Sequence, residues 1–325
     1  MINLIERIEE AHRAIRPHVM VTPLVSARRL SAALGCEVLL KADHLQPTGS
    51  FKLRGATNKQ RLLSQNGGHR RVLTASTGNH GRAAAYASQF FDMDVVVYMS
   101  ANTAPENIAA VEGLGASVTL IEGGALAAEI AARRDSEEQG IPYLAPYYDY
   151  DTIAGQGTVG LEISEQTGRL DAAFICVGGG GLAAGAGVAL KERFPGIEVI
   201  GVSPQASQSM LSSLAAGKIV ESTEWETLSD HSMGAVEPGS VTFPICQSVI
   251  DRTVAVSEDE IAQAMREIAD GEQWMIEGAA GVAVAGLTRL AKQYRGARVA
   301  VILCGRNVPL DTFLRAMAMS TPLGS

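Results

Sequence analysis

Short apolar runs alternate with longer alanine-rich stretches along most of the chain. After residue 70, the β-rich runs RVLTAS, VVVYM and SVTLI each precede a helical pattern, and a second series contains AAFICV, EVIGV and RVAVIL. Apolar, β-branched runs of this length between helices indicate parallel strands that are covered on both faces. At the N-terminus, helical spacing predicts an amphipathic helix carrying Ile2, Ile5, Ile8, Ala11 and Ile15. The pattern therefore predicts an α/β fold with open, twisted, mostly parallel sheets flanked by helices.

The two series of strands predict two sheets and two domains. The segment PYLAPYYDYD (142–151) interrupts the alternation with two prolines and four tyrosines, and such interruptions favour a boundary. We expect a small domain over residues 72–147 and a large domain over 1–71 and 148–325. The part before residue 64 could pack on either domain by its pattern alone.

Composition excludes several classes of protein. The 325 residues include 27 Lys and Arg against 35 Asp and Glu, which gives a net charge of −8, and 46% are hydrophobic. This balance excludes disorder and argues against nucleic acid as a partner. No apolar run approaches the ~20 residues of a membrane span, and no signal peptide is visible, so we expect a cytoplasmic protein. No zinc site or disulfide framework is indicated by the widely spaced cysteines Cys36, Cys176, Cys246 and Cys304.

A glycine loop separates the predicted strand AAFICV from the helical pattern LAAGAGVALKERF, and it consists of Gly178, Gly179, Gly180 and Gly181. Such a loop exposes backbone N–H groups to an oxyanion at the positive end of a helix. A tight turn is the simpler alternative, but it does not require four glycines. A dinucleotide site would need an acidic residue after the next strand, where Ser203 and Pro204 stand. The loop therefore favours a single phosphate ester.

Two further motifs open predicted helices with polar groups. Lys52 begins a helix over residues 52–63 in LQPTGSFKLRGATNKQRLL, where the helix dipole disfavours a cation; a solvent-facing lysine is the alternative. In TASTGNHG, Ser76, Thr77 and Asn79 place side-chain donors beside free backbone N–H groups, an arrangement suited to a carboxylate. N-capping explains one such residue but not three in succession.

In this order and at these separations, SFKLRGA, STGNHG and GGGGLAAG resemble the fold-type II pyridoxal-phosphate enzymes of the serine/threonine dehydratase group, which includes serine racemase. The resemblance extends from TPL (22–24) to CGRN (304–307). It implies a tryptophan synthase β-like fold, a pyridoxal 5'-phosphate cofactor bound by the large domain, an amino-acid substrate and a homodimer.

The resemblance also implies roles for the motif residues. Lys52 carries the cofactor as a Schiff base and later acts as the base at the substrate α-carbon. Phe51 packs beside the cofactor ring, Asn79 binds the ring hydroxyl, and the glycine loop holds the phosphate. The substrate carboxylate is surrounded by Ser76, Thr77, Gly78 and His80.

Two more residues are assigned by the resemblance to the surroundings of the cofactor ring. Glu277, in IEGAAG, matches a glutamate near the cofactor; an acid at a helix start is the alternative. Cys304 stands where relatives place a serine that faces the pyridine nitrogen, and a buried small hydrophobe is the alternative.

The chain departs from the family pattern at several positions. Arg306 replaces a glycine, and Asp230-His231 stands where relatives usually show Asp-Gly. The metal-binding acids of some relatives are replaced by Ser203, Ser207 and Ser209, so we expect no divalent cation there.

These features predict a dehydratase that removes water from a β-hydroxy amino acid, such as threonine, serine or a hydroxylated derivative, and yields a 2-oxo acid and ammonia. We expect Arg306 or His231 to contact a polar or acidic side chain of a larger substrate, and the chain is similar to dehydratases of hydroxyectoine breakdown. A surface pair of Arg306 with Asp311 is the alternative for Arg306. The alternative functions are a racemase or β-replacement enzyme, a nicotinamide-dependent oxidoreductase, and a non-catalytic amino-acid sensor.

Overall fold

The computed structural model describes residues 3–319, in which nine strands form two separate sheets. The strands are β1 (Leu24–Ser26), β2 (Glu37–Lys41), β3 (Arg71–Ala75), β4 (Asp94–Ser100), β5 (Ser117–Ile121), β6 (Ala172–Cys176), β7 (Glu198–Pro204), β8 (Arg252–Val256) and β9 (Arg298–Ile302). The larger sheet has the order β1-β2-β9-β6-β7-β8, and the smaller one has the order β3-β4-β5. All strand pairs are parallel except β1 with β2. The predicted α/β fold with two mostly parallel sheets is confirmed.

Thirteen α-helices of the described residues cover these sheets. They are α1 (Leu4–Ile15), α2 (Arg28–Leu34), α3 (Lys52–Gly67), α4 (Asn79–Ser88), α5 (Pro105–Glu112), α6 (Ala125–Gln139), α7 (Tyr150–Gln166), α8 (Gly181–Arg193), α9 (Ser209–Ala216), α10 (Thr242–Val249), α11 (Glu258–Glu272), α12 (Gly278–Leu290) and α13 (Leu310–Met319). Short 3₁₀ turns occur at Asp43–Leu45, Asp230–Ser232 and Ala291–Tyr294.

The N-terminal segment with apolar residues at helical spacing forms helix α1, as predicted. In α1, the side chains of Ile8, Ala11 and Ile15 are buried, and the helix packs on α7. Ile2 lies outside the described residues. The leading part of the chain also adds β1 and β2 to the larger sheet, because β2 pairs in parallel with β9.

Close helix packing positions the glycine loop. Helices α7 and α8 cross so tightly that a Cβ atom on Gly185 would lie 2.6 Å from the backbone nitrogen of Gly157. Glycine is therefore required at this crossing, which seats α8 with its N-terminus directly after β6.

None of the helices within residues 3–319 combines the length and apolarity needed to cross a bilayer.

Candidate active site

A cavity of about 270 Å³ is lined by residues that follow β3, β6 and β9. The carboxyl ends of parallel strands are where open α/β sheets bind ligands. The cavity brings together all of the predicted site residues except Arg306, namely Phe51, Lys52, Ser76, Thr77, Gly78, Asn79, His80, Gly178, Gly179, Gly180, Gly181, Glu277 and Cys304.

The Lys52 amine lies at the first position of α3 and has a lowered pKa. Its Nζ donates a hydrogen bond to the Pro146 carbonyl oxygen at 2.8 Å and lies 5.3 Å from the centre of the Phe51 ring. Burial lowers the pKa of Lys52 to about 8, although the negative charge of Glu277 acts in the opposite direction. A lysine with this pKa is a nucleophile and a base near neutral pH.

The glycine loop presents unpaired N–H groups to the cavity side of the α8 N-terminus. No protein acceptor is found within residues 3–319 for the N–H groups of Gly178, Gly179 and Gly180. Thr242 Oγ1 donates to the Gly179 carbonyl oxygen at 2.7 Å, so that carbonyl is held on the α10 side. Free N–H groups at a helix N-terminus form an anion site.

Only glycine fits this loop. A Cβ atom on Gly178 would lie 2.5 Å from the Ser232 carbonyl oxygen, and one on Gly179 would lie 2.6 Å from the Tyr147 ring. Gly180 has a φ of +89°, in the left-handed region that favours glycine. The simple-turn alternative does not account for these close approaches.

The STGNH turn presents a similar set of donors at the start of α4. Thr77 and Asn79 have backbone N–H groups without a protein acceptor in the described part of the chain. Ser76 Oγ accepts a hydrogen bond from the Gly78 N–H at 3.2 Å, and no side chain caps α4. The capping alternative is therefore not supported for Thr77 or Asn79, and the turn can bind a carboxylate.

Glu277 does not cap the helix that it precedes. Its carboxylate accepts hydrogen bonds from Asn79 Nδ2 at 3.0 Å to each oxygen and from the Asn307 N–H at 3.0 Å, and α12 has no side-chain cap. Asn307 Nδ2 also donates to Asn79 Oδ1 at 2.6 Å. Glu277 therefore lies at the start of α12, as the alternative expects, but its carboxylate binds Asn79 and Asn307 and does not cap the helix.

The family described as "Pyridoxal-phosphate dependent enzyme" matches residues 15–305 of this chain. The chain belongs to this family. The L-threonine ammonia-lyase of Thermotoga maritima is 37% identical over 312 residues, which cover 96% of this chain and 77% of the relative. The L-threo-3-hydroxyaspartate ammonia-lyase of Saccharomyces cerevisiae is 31% identical, with 94% of this chain and 93% of the relative covered. The solved processed form of threonine deaminase isoform 2 from Solanum lycopersicum has a TM-score of 0.92 and 32% identity, with 97% of this chain and 93% of that chain covered.

The chain therefore uses pyridoxal phosphate, and the nicotinamide-dependent alternative is wrong. The residues of the cavity fit this cofactor, because the unpaired N–H groups of the glycine loop suit its phosphate and the Lys52 amine with its lowered pKa suits its aldehyde. Within residues 3–319, no group of three or more His, Cys, Asp or Glu side chains is placed to hold a metal ion.

Cys304 and His80 are both neutral groups in the lining of this cavity. The neighbouring Cys176 thiol and burial raise the pKa of Cys304 well above its usual value, so Cys304 presents a thiol beside the cofactor region. Burial lowers the pKa of His80 to about 3, and His80 Nε2 lies 3.1 Å from the Leu144 carbonyl oxygen. We infer that this nitrogen carries the proton of the neutral ring, because a carbonyl oxygen only accepts.

Arg306 is not brought to the site, contrary to expectation. Its side chain is exposed, and it is absent from the cavity lining. The Arg306 N–H donates to the Gly49 carbonyl oxygen at 2.9 Å, and Gly305 forms a bridge with Ser50. These backbone contacts hold the segment against the turn before α3 and leave the Arg306 side chain on the outer side.

His231, the other candidate for substrate contact, does line the cavity. The sequence analysis missed further lining residues, among them Tyr98, Glu129, Tyr147 and Met233. Of these four residues, only Tyr147 lies in a segment that the sequence analysis singled out, namely the tyrosine-rich segment that we interpreted as a domain boundary. The three serines that replace the metal-binding acids of some relatives have protein partners: Ser203 Oγ donates to the Val177 carbonyl oxygen at 2.6 Å, and Ser207 and Ser209 donate to Glu224 at 3.1 and 2.8 Å.

Proposed function

We propose that the chain is a pyridoxal-phosphate-dependent dehydratase, or ammonia-lyase, that removes water from a β-hydroxy amino acid. The observation that carries this proposal is the meeting of three elements in one cavity: a lysine amine with a lowered pKa, a loop with unpaired N–H groups and a second turn with unpaired N–H groups. The names of the relatives, which include an L-threonine ammonia-lyase and an L-threo-3-hydroxyaspartate ammonia-lyase, support this class of substrate.

The glycine loop and the STGNH turn have different binding roles: the loop binds the cofactor phosphate, and the turn binds the substrate carboxylate. Gly178 to Gly181 would hold the cofactor phosphate, because the N–H groups of Gly178, Gly179 and Gly180 have no acceptor among the described residues. The N–H groups of Thr77 and Asn79 bind the substrate carboxylate at the N-terminus of α4, with Ser76 and His80 beside them. Phe51 would pack beside the cofactor ring, and Asn79, which Glu277 orients, would bind the ring hydroxyl.

Lys52 moves the proton on which the reaction depends. Bound pyridoxal phosphate withdraws electrons from the substrate α-carbon and makes its proton acidic. Lys52 Nζ removes that proton, and the Pro146 carbonyl oxygen, 2.8 Å from Nζ, fixes the direction of the amine. The β-hydroxyl group takes up one proton, which balances the proton that Lys52 removes, and leaves as water. The released enamine then takes up one water molecule and gives a 2-oxo acid and ammonia.

Replacement of Lys52 tests this assignment. Lys52→Ala is expected to abolish both the release of 2-oxo acid from threonine or 3-hydroxyaspartate and the visible absorbance of the lysine-bound cofactor. Lys59→Ala is the matched control, because Lys59 lies on the same helix but binds Asp149 and Asp151 at 2.9 and 3.0 Å. A Lys52→Ala protein that kept both properties would disprove the assignment, and accumulation of a D-amino acid instead of a 2-oxo acid would favour a racemase.

We further propose that residues 72–147 form a small domain and that the remainder forms the cofactor-binding domain of a cytoplasmic homodimer. The smaller sheet and helices α4, α5 and α6 fall almost wholly within the proposed small domain, and homodimers are the commonest soluble oligomers. Light scattering of the purified protein tests the dimer, and a monomer mass would exclude it.

A further inference from the structure

His231 is one of the two residues that the sequence analysis expects to contact a substrate side chain, and the proposed function gives it no role. It lies in the 3₁₀ turn Asp230–Ser232 and lines the cavity. Its Nδ1 is 3.3 Å from Glu277 Oε2 and 3.3 Å from Asp230 Oδ1. The ring therefore has its two carboxylate neighbours on the Nδ1 side.

The other ring nitrogen, Nε2, lies beside the STGNH turn. A Cβ atom built on Gly78, in the STGNH turn, would lie 2.5 Å from His231 Nε2. No hydrogen-bond partner of Nε2 is found among the described residues. A donor placed beside the proposed carboxylate turn, and left unpaired by the protein, is available to a bound molecule.

The surrounding charges keep this ring protonated. Burial alone would lower the pKa of His231, and the half-buried Arg82 cation acts in the same direction, but Glu277 and Asp230 raise it to about 9. At neutral pH the Nε2–H group is therefore a charged donor. A group with this pKa is better suited to permanent binding than to donating its proton in each cycle, because acid catalysis favours a pKa near the working pH.

The side chains of serine and threonine give this donor little to bind. Both share the β-hydroxyl group, but beyond the β-carbon threonine carries only a methyl group. A carboxylate or carboxamide in place of that methyl group would supply an acceptor oxygen, and a hydrogen bond from a charged donor is stronger than one between neutral groups.

We propose that His231 determines the specificity of this site, by donating its Nε2–H to a carboxylate or carboxamide oxygen one carbon beyond the β-carbon of the substrate. This inference rests on the proposed dehydratase function. It makes 3-hydroxyaspartate-like and 3-hydroxyasparagine-like amino acids the preferred substrate class.

The test measures kcat/KM for threo-3-hydroxyaspartate, 3-hydroxyasparagine and threonine with the holoenzyme and with His231→Ala and His231→Gln. The unaltered enzyme is expected to prefer at least one of the two acceptor-bearing substrates over threonine by about tenfold or more. His231→Ala is expected to lower kcat/KM for these substrates by about 10- to 100-fold, as for other hydrogen bonds to charged groups, and for threonine by less than about threefold. His231→Gln keeps a neutral donor and is expected to retain more activity than His231→Ala.

The same kcat/KM values show whether His231 binds a carboxylate or a carboxamide. A carboxylate is assigned if His231→Ala penalises 3-hydroxyaspartate more than 3-hydroxyasparagine, and a carboxamide if the order is reversed. Retention of the visible cofactor absorbance in both His231 variants establishes that the fold and the cofactor site are intact.

Three results would overturn the proposal. An equal loss with all three substrates would assign His231 to the shared α-carboxylate, to the shared β-hydroxyl group or to the positioning of Glu277. An unaltered enzyme that prefers threonine, or a loss of preference in Arg306→Ala but not in the His231 variants, would also refute it. Failure to dehydrate any of the three substrates would instead refute the proposed function, so the two failures are distinguishable.

Discussion

A buried ion network anchors the helix that begins with Lys52. Arg54, two residues further along α3, is fully buried and donates to both carboxylate oxygens of Asp43, at 2.9 and 2.7 Å, and to both of Glu162, at 2.7 and 2.8 Å. Lys41 Nζ lies 2.6 Å from Glu162 Oε2. The network therefore balances two cations with two anions away from water.

Glu162→Gln removes one charge from this network while keeping the volume of the side chain. Arg54 and Lys41 would then share the single anion Asp43, and one positive charge would remain uncompensated in the interior. Breaking a buried ion pair by removing one partner costs about 3–5 kcal/mol. Because whole proteins are stable by only about 5–15 kcal/mol, we expect a large loss in the free energy of unfolding.

Helix α7, which carries Glu162, also supplies a matched control. Glu165 on α7 forms ion pairs with His12 and Arg16, and its side chain is 45% exposed. Exposed pairs contribute about 0–1 kcal/mol, so Glu165→Gln should unfold at nearly the urea concentration of the unaltered protein. Urea unfolding followed by far-ultraviolet circular dichroism measures both variants.

The comparison between the two variants decides whether the buried ion network stabilises the fold. If Glu162→Gln and Glu165→Gln shift the urea midpoint by the same small amount, the network does not stabilise the fold and the reasoning is refuted. Turnover per bound cofactor, measured on the folded Glu162→Gln protein, reports separately whether the substitution also shifts α3 and Lys52.

Two further predictions concern the cofactor site. Gly180→Ala should release pyridoxal phosphate more readily, because Gly180 has a φ of +89° and an added Cβ would lie 2.8 Å from Met210 Cε and 2.9 Å from Cys246 Sγ; equilibrium dialysis measures the cofactor retained. Gly196→Ala, at a similar φ of +87° but with no atom within 4 Å of the added Cβ, should retain the cofactor, and equal retention by the two variants would contradict the prediction. Since burial lowers the pKa of Lys52 to about 8, the rate at which the cofactor-free protein rebinds pyridoxal phosphate should rise with pH through about 8 and then level off. A rate that still rises towards pH 10, where an ordinary lysine titrates, would show that the amine is not perturbed.

Local sequence patterns were sufficient to predict most of the strands and to identify the motif residues. Strands β3 to β7 and β9 are the apolar runs that the alternation predicts, because parallel strands buried on both faces are recognisable without knowledge of their partners. The pairing of β2 with β9 was not predictable, since Val38 aligns with Val299 across most of the chain. Strand β8 was missed because only its last residue, Val256, is buried, so the run RTVAV lacks a strong apolar pattern.

The position of Arg306 shows why proximity in sequence to a site does not predict participation in it. Arg306 lies two residues after Cys304, which lines the cavity. Its direction depends on backbone pairing with Gly49 and Ser50, which belong to a distant part of the chain. A pattern that recognises residue types in one segment contains no information about that pairing.

The charge of His231, like the direction of the Arg306 side chain, depends on contacts between distant parts of the chain. Asn79, His231, Glu277 and Asn307 come from four separate segments, and Glu277 contacts each of the other three. No single motif contains two of these residues, so no local pattern could predict that His231 would be protonated. The pKa of His231 depends on the distance to Glu277, which the packing of the 3₁₀ turn against α12 sets. Motifs therefore identify which chemistry a chain of this family performs, whereas the substrate that it prefers depends on contacts that only the folded structure creates.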